Sequence, residues 1–224
     1  TPVEVEKGDF FRRAAWMASA AVLVVVFTWD RTLSRPLAAV LLTLSFAYLA
    51  WDYLGIRRQR AEAVNGEAPD TNGLTKEISL FALGAILIVV GSRLLVDSGQ
   101  SLAAALGVPS IIIGLSVVAI GTSLPELVTG VSAARKGVPD LSLGNIIGAN
   151  VLNLYLIVGL SGTINPLTLD RFTQFYSYGW LAVFFVAVIG LVARVGRFHR
   201  SGGLLLVALY VIYVIGLVIV PFLG

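Results

Sequence analysis

The stretch from Val108 to Glu126 reads VPSIIIGLSVVAIGTSLPE, eighteen uncharged residues ending on a glutamate that is followed by Leu127 and Val128. An uncharged run of about 18 residues or more reads as a membrane helix. An ionised carboxylate at that depth is costly unless it is paired, protonated or bound to a cation. Pro125 has no N–H to donate and disfavours helical geometry at Leu124, so the helix is expected to break between Gly121 and Leu124. A broken helix frees carbonyls. Carbonyls, the hydroxyls of Thr122 and Ser123 and the carboxylate of Glu126 are hard oxygen ligands, the kind that sodium and calcium take. The same residues also satisfy a capping box, with Ser123 as N-cap, Pro125 near N1 and Glu126 at N3. Both readings can hold together, the cap shaping the turn while the carboxylate faces an ion.

Outward from this stretch the chain stays apolar. Of its 224 residues 57% are hydrophobic and 13% charged, too apolar for one soluble core to hide. Uncharged runs at 14–29, 36–51, 78–92, 98–125, 141–169, 172–193 and 201–224 give seven candidate spans in an all-α polytopic membrane protein. A soluble helical protein would need polar faces at a 3.6-residue period, and Leu204 to Val220 is apolar all round. The absence of cysteine removes disulfides and thiolate metal sites. The net charge of +3 reflects membrane topology rather than nucleic-acid binding. Twelve of the sixteen Lys and Arg residues fall on one side of the seven spans, which places the N-terminus inside and the C-terminus outside a cell membrane.

A shift of 165 residues lays Arg35, Leu41, Leu44 and Tyr48 onto Arg200, Leu206, Leu209 and Tyr213. The first pair of spans turns outside and the last pair inside, as inverted copies would. On this reading residues 1–56 are the last two helices of one repeat, 57–76 a cytoplasmic linker and 77–224 a second five-helix repeat. The chain begins at Thr1 rather than methionine, and the expectation is a piece of a ten-span protein whose N-terminal repeat, about 90 residues of it, lies upstream.

A second polar segment follows at Gly144-Asn145-Ile146-Ile147-Gly148-Ala149-Asn150-Val151-Leu152-Asn153. Gly144 and Gly148 form a small-xxx-small pair that would admit another helix, and the three amides must find partners where there is no water. Together, GTSLPEL, Asp140-Leu141-Ser142-Leu143-Gly144-Asn145 and the GxN that ends at Asn150 resemble the alpha-repeat of the cation/calcium antiporter superfamily, most closely its sodium/calcium exchanger branch. The match runs from about Val108 to Pro166. It implies a ten-helix fold of two inverted five-helix halves with ions bound at mid-membrane.

Carried over by position, the resemblance implies Glu126 as central carboxylate ligand, Thr122 and Ser123 as hydroxyl ligands, Ala119 as a carbonyl ligand and Asn153, facing them, as an amide ligand. Residues 77–97 would be the gating helix. Ala149 stands where many members have serine, and Asn153 where some have aspartate. The first removes a hydroxyl from a sodium position, the second lowers the charge of the site, and both leave room for proton coupling. The expected function is secondary antiport of Ca²⁺ for Na⁺, with no cofactor. Its partners are the lipid bilayer and a second acidic segment, because one carboxylate is too few for a Ca²⁺ shell of about six to eight oxygens. Rival readings are an H⁺-coupled or other cation exchanger, a seven-span receptor or assembly subunit, and an intramembrane enzyme with Ser123 as nucleophile. No base accompanies Ser123 in its span, and His199 sits in a loop, so an enzyme is not expected.

Overall fold

The computed structural model describes residues 3–4, 7–63, 74–108, 110–137, 139–195, 197–198 and 200–219. After a two-residue strand β1 (Val3–Glu4) come α1 (Lys7–Phe27), β2 (Thr32–Leu33), α2 (Arg35–Ala63) and α3 (Leu74–Ala105). A discontinuous helix follows as α4 (Ser110–Ile113), a first π segment (Gly114–Val118), α5 (Ala119–Thr122) and α6 (Leu124–Arg135). The next is built the same way, from α7 (Pro139–Leu152), a second π segment (Asn153–Ile157) and α8 (Val158–Ile164). The chain closes with β3 (Leu167–Thr168), α9 (Arg171–Val195), β4 (Arg197–Phe198) and α10 (Arg200–Ile219). Among the described residues six helices are long and apolar enough to cross a membrane, and the bent pair 114–122 and 124–135 makes a seventh if it is one span.

One expected boundary is corrected. The third span, read as ending at Asp97, does not stop there, because α3 runs on to Ala105. Two charges at a span end do not stop a helix whose backbone bonds are all internal. What stops it is Gly107, whose φ of +74° lets the N–H groups of Gly107 and Val108 turn back to the carbonyls of Ala104 and Ala103. The fourth span therefore begins at Ser110 rather than Ser98. The linker expected at 57–76 is also shortened at both ends, with α2 reaching Ala63 and α3 starting at Leu74. The rest of it, 64–73, lies outside the described residues, as does His199.

By internal packing the chain divides into two compact units, Thr1–Tyr53 with Ala133–Gly224, and Leu54–Ser132. The first has its own core, in which Phe10, Ala14, Met17 and Val24 of α1 meet Leu41 and Tyr48 of α2 and Ile147, Val151 and Tyr155 of the helix after Pro139. These positions recur every three, four or seven residues, one stripe per helix. Helix association in lipid lacks a hydrophobic drive and depends on close approach at small residues. Gly159 and Gly162 supply it here, since a Cβ on Gly159 would lie 2.6 Å from Leu42 N and one on Gly162 2.8 Å from Ala38 Cβ. Outer faces are large and aliphatic, as at Val186, 73% exposed.

Two short antiparallel pairings close this unit at opposite ends of α1. Val3 and Glu4 pair with Phe198 and Arg197, and Thr32 and Leu33 pair with Thr168 and Leu167. The second end is also held by polar bonds. Gln174 Nε2 donates to the carbonyls of Thr28 and Trp29, at 3.3 and 2.9 Å, and Thr28 Oγ1 lies 2.6 Å from the Tyr178 hydroxyl. Arg31, at φ +67°, makes the turn, its carbonyl accepting from Leu169 N at 2.8 Å.

Candidate functional site

In the Leu54–Ser132 unit, the axis turns by 43° between 114–122 and 124–135, and Ser123 is the residue at the turn, with φ −90° and ψ −1°. The expected break is therefore present, at the residue two before the proline. Pro125 cannot supply the N–H that Gly121, four residues earlier, would ordinarily receive. Thr122 Oγ1 donates to the carbonyls of Val118 and Ala119, at 3.0 and 3.2 Å, which spends its proton and leaves its lone pairs. Ala119 and Thr122 are exposed, as is Ser123, while Glu126 is half-buried. Ala119, Thr122 and Glu126, spaced three and four apart, follow one side of the broken helix.

The alternative capping-box account does not hold. The Ser123 N–H that Glu126 would have to reach is already given to the carbonyls of Ala119 and Ile120, at 3.3 and 3.1 Å. Glu126 Oε2 is buried with no hydrogen-bond partner among the described residues. A carboxylate oxygen withdrawn from solvent and left unpaired is costly, and a cation or a proton is what offsets that cost. Ala119 is less free than the sequence suggests. Its carbonyl accepts both from Ser123 N and from Thr122 Oγ1, so it reaches an ion only by giving up one of these long bonds.

The opposite side of the broken helix packs on α3. A Cβ on Gly121 would lie 2.2 Å from Val96 Cγ2, and one on Gly99 of α3 would lie 2.6 Å from Val117 Cγ1. Each helix thus seats a valine of the other over a glycine. Near Gly121 on α3 sits Ser92, 8% exposed, whose Oγ has no hydrogen-bond partner among the described residues. Other helical hydroxyls, such as those of Thr43, Ser101 and Thr163, donate to the carbonyl four residues back. Nothing in the sequence distinguished Ser92 from them.

Asn153 belongs to the other compact unit. It opens the second π segment, and the Val158 N–H bonds its carbonyl five residues back. Asn153 is exposed, and so are Asn145 and Asn150, with Ala149 half-buried. Gly144 and Gly148 do not admit another helix backbone among the described residues. Gly144 has nothing within 4 Å of a Cβ, and Gly148 makes room for the Tyr48 hydroxyl, which a Cβ would approach to 3.3 Å. The pair reads as a packing motif only when a helix lies against it, and here the close helix approach falls one span-half later, at Gly159 and Gly162. The two π segments were also illegible in the sequence. Such segments concentrate at functional positions, and one precedes Ala119 while the other starts on Asn153. Among the described residues no three of His, Cys, Asp and Glu come together.

A family model described as sodium/calcium exchanger protein matches residues 76–219. The sodium/calcium exchanger MaX1 of Methanosarcina acetivorans is 36% identical over 143 residues, which cover 64% of this chain and 41% of that protein. The inner membrane protein YrbG of Escherichia coli is 30% identical over 195 residues, covering 84% of this chain and 59% of YrbG. The chain thus matches about half the length of these curated relatives. Among solved structures, one of the sodium-calcium exchanger NCX_Mj superposes with a TM-score of 0.70 at 27% identity, covering 97% of this chain and 68% of that one.

Proposed function

The chain belongs to the sodium/calcium exchanger family, and from that premise we propose that it supplies one half of the ion-binding centre of an antiporter exchanging Ca²⁺ for Na⁺. The observation that carries this reading is Glu126 Oε2, buried without a hydrogen-bond partner among the described residues, directly after a 43° break in a membrane-length helix. Glu126 is the central carboxylate, Thr122 and Ser123 offer hydroxyl lone pairs, Ala119 a carbonyl and Asn153 an amide oxygen. Either ion can take these oxygens but the carboxylate is not left both ionised and empty at low cost, so departure of one ion is coupled to arrival of the other. α3, packed on the broken helix through the paired valines and glycines, is the element whose movement opens and closes the site.

The ligand set within residues 1–224 is incomplete. One carboxylate, two hydroxyls, a carbonyl and an amide offer six oxygens at most, the low end of a Ca²⁺ shell of about six to eight, and bring one negative charge against two positive ones. Asn150 and Asn153 are exposed on a helix of membrane length, where an amide side chain needs a hydrogen-bond partner. Both facts call for a second acidic segment, from further polypeptide or a second copy, covering this face in a cell membrane. Ala149, half-buried beside Asn150, keeps proton coupling as the second reading, since it brings no hydroxyl to the site.

The test is ⁴⁵Ca²⁺ uptake into proteoliposomes, first under a sodium gradient and then under a proton gradient, with Glu126→Gln beside the native protein. Uptake driven by sodium and lost in Glu126→Gln is the expected result. Undiminished uptake in the variant would remove Glu126 from the site, and uptake driven only by protons would replace the coupling ion.

A further inference from the structure

Asn153 and Tyr155 are two positions apart and face opposite ways. Asn153 is exposed, whereas Tyr155 is 1% exposed in the core of its unit. The Tyr155 hydroxyl lies 2.8 Å from Ser19 Oγ of α1. Ser19 Oγ has one proton and gives it to the Trp16 carbonyl at 2.8 Å. Tyr155 must therefore be the donor in the pair, and the direction of the bond is fixed. The Tyr155 ring also meets the Trp16 ring edge-on, with centroids 6.4 Å apart.

Why this bond matters follows from the π turn. A π segment inserts an extra residue into the helical phase and persists only where its surroundings impose it. α7 is fixed in rotation by buried Ile147 and Val151. α8 is fixed by Gly159 and Gly162, whose close approach to α2 allows no rotation that would bring a side chain there. Residues 153–157 absorb the mismatch between these two phases, and Tyr155 is the one buried residue among them. We propose that Tyr155 and Ser19 are positioning residues that hold the π turn in the phase that aims the Asn153 amide at the ion, setting cation affinity without touching the ion. The inference rests on Asn153 being an ion ligand.

Initial rates of ⁴⁵Ca²⁺ uptake by the protein in proteoliposomes, over a range of Ca²⁺, separate KM from the maximal rate. Tyr155→Phe keeps the ring and loses only the hydroxyl. Loss of one net hydrogen bond is expected to raise KM about two- to tenfold with little change in maximal rate. Ser19→Ala should match it, the double variant should be no worse than either, and Ser19→Thr, which restores a hydroxyl, should return KM toward native. Thr43→Ala, whose hydroxyl bonds only its own helix at Ala39, should leave KM unchanged. In an Asn153→Ala background, which itself raises KM, Tyr155→Phe should add nothing. A full additional rise in that background would overturn the proposal, because the pair would then act elsewhere than on Asn153. If Asn153→Ala raises KM while Tyr155→Phe does not, the positioning role alone falls. If Asn153→Ala leaves KM unchanged, the ligand reading falls, and the inference with it.

Discussion

At the residue scale, the side chain that matters most was legible because a charge in apolar sequence is conspicuous. Glu126 stands out from composition alone, and so do its proline and hydroxyl neighbours. Ser92 does not, since a helical serine ordinarily bonds its own backbone; only the packing of α3 on Gly121 shows that its hydroxyl is buried and, among the described residues, without a hydrogen-bond partner. Gly121 itself read as part of a polar motif, yet its structural task is to lack a side chain. Adding one methyl group places it 2.2 Å from Val96 Cγ2, a terminal atom of a β-branched side chain with little rotamer freedom. Gly121→Ala is expected to destabilise the protein by about 1–3 kcal/mol, the usual cost of overpacking. Thermal unfolding in detergent should show the drop, and Val96→Ala in the same chain should restore much of it by removing the obstructing methyl. Gly114→Ala meets nothing within 4 Å and serves as the control. A double variant no more stable than Gly121→Ala would mean that the helices do not meet at this pair.

At the element scale, the sequence showed where helices lie better than where they end or deform. The break near Pro125 followed from proline chemistry, whereas the run of α3 past Asp97 to Ala105 did not, because charge near a span end resembles a loop signal. The π segments escaped for a deeper reason. A π turn reconciles the rotational phases of the two helix halves it joins, and those phases are set by partners distant in sequence, such as α1 and α2 for residues 153–157. The broken helix owes its shape to Pro125, and replacing it tests whether the shape or merely the ligands bind the ion. Pro125→Ala restores an N–H four residues after Gly121, so the helix is expected to straighten across Ser123. Glu126 and Thr122 remain present but lose their mutual placement. The expected result is an unchanged or higher Tm together with a Ca²⁺ KM raised about tenfold, the effect of ~1.4 kcal/mol in binding. A native KM with raised stability would show that the 43° turn is incidental to the site.

At the scale of the whole molecule, the repeat read from four matched residues has a structural counterpart within one compact unit. α2 and α10 open on Arg35 and Arg200, 165 positions apart, and β2 and β4 are separated by the same offset. The strand between α1 and α2 pairs with the one before α9, and the strand between α9 and α10 pairs with the one before α1, an exchange that a two-fold relation between the hairpins would produce. Such a relation requires the two hairpins to enter the membrane from opposite sides, and that depends on whether the bent helix between them crosses. Its 26 residues from Ser110 to Arg135 extend about 39 Å at 1.5 Å per residue, enough to cross a core of ~30 Å even with a bend. A re-entrant hairpin of the same length would instead return both ends to one side, leaving six spans and placing the two hairpins in the same orientation, which the strand pairs at opposite ends of α1 do not allow. The chain contains no cysteine, so single cysteines report each side cleanly. Leu106, 73% exposed, precedes the bent helix, and Lys136, also exposed, follows it. With a membrane-impermeant maleimide added to intact cells, Leu106→Cys is expected to react, and Lys136→Cys only after the membrane is permeabilised. Reaction of both from outside, or of neither, would make the segment re-entrant. Reaction of Lys136→Cys alone would preserve the span and reverse the orientation that the Lys and Arg distribution implies.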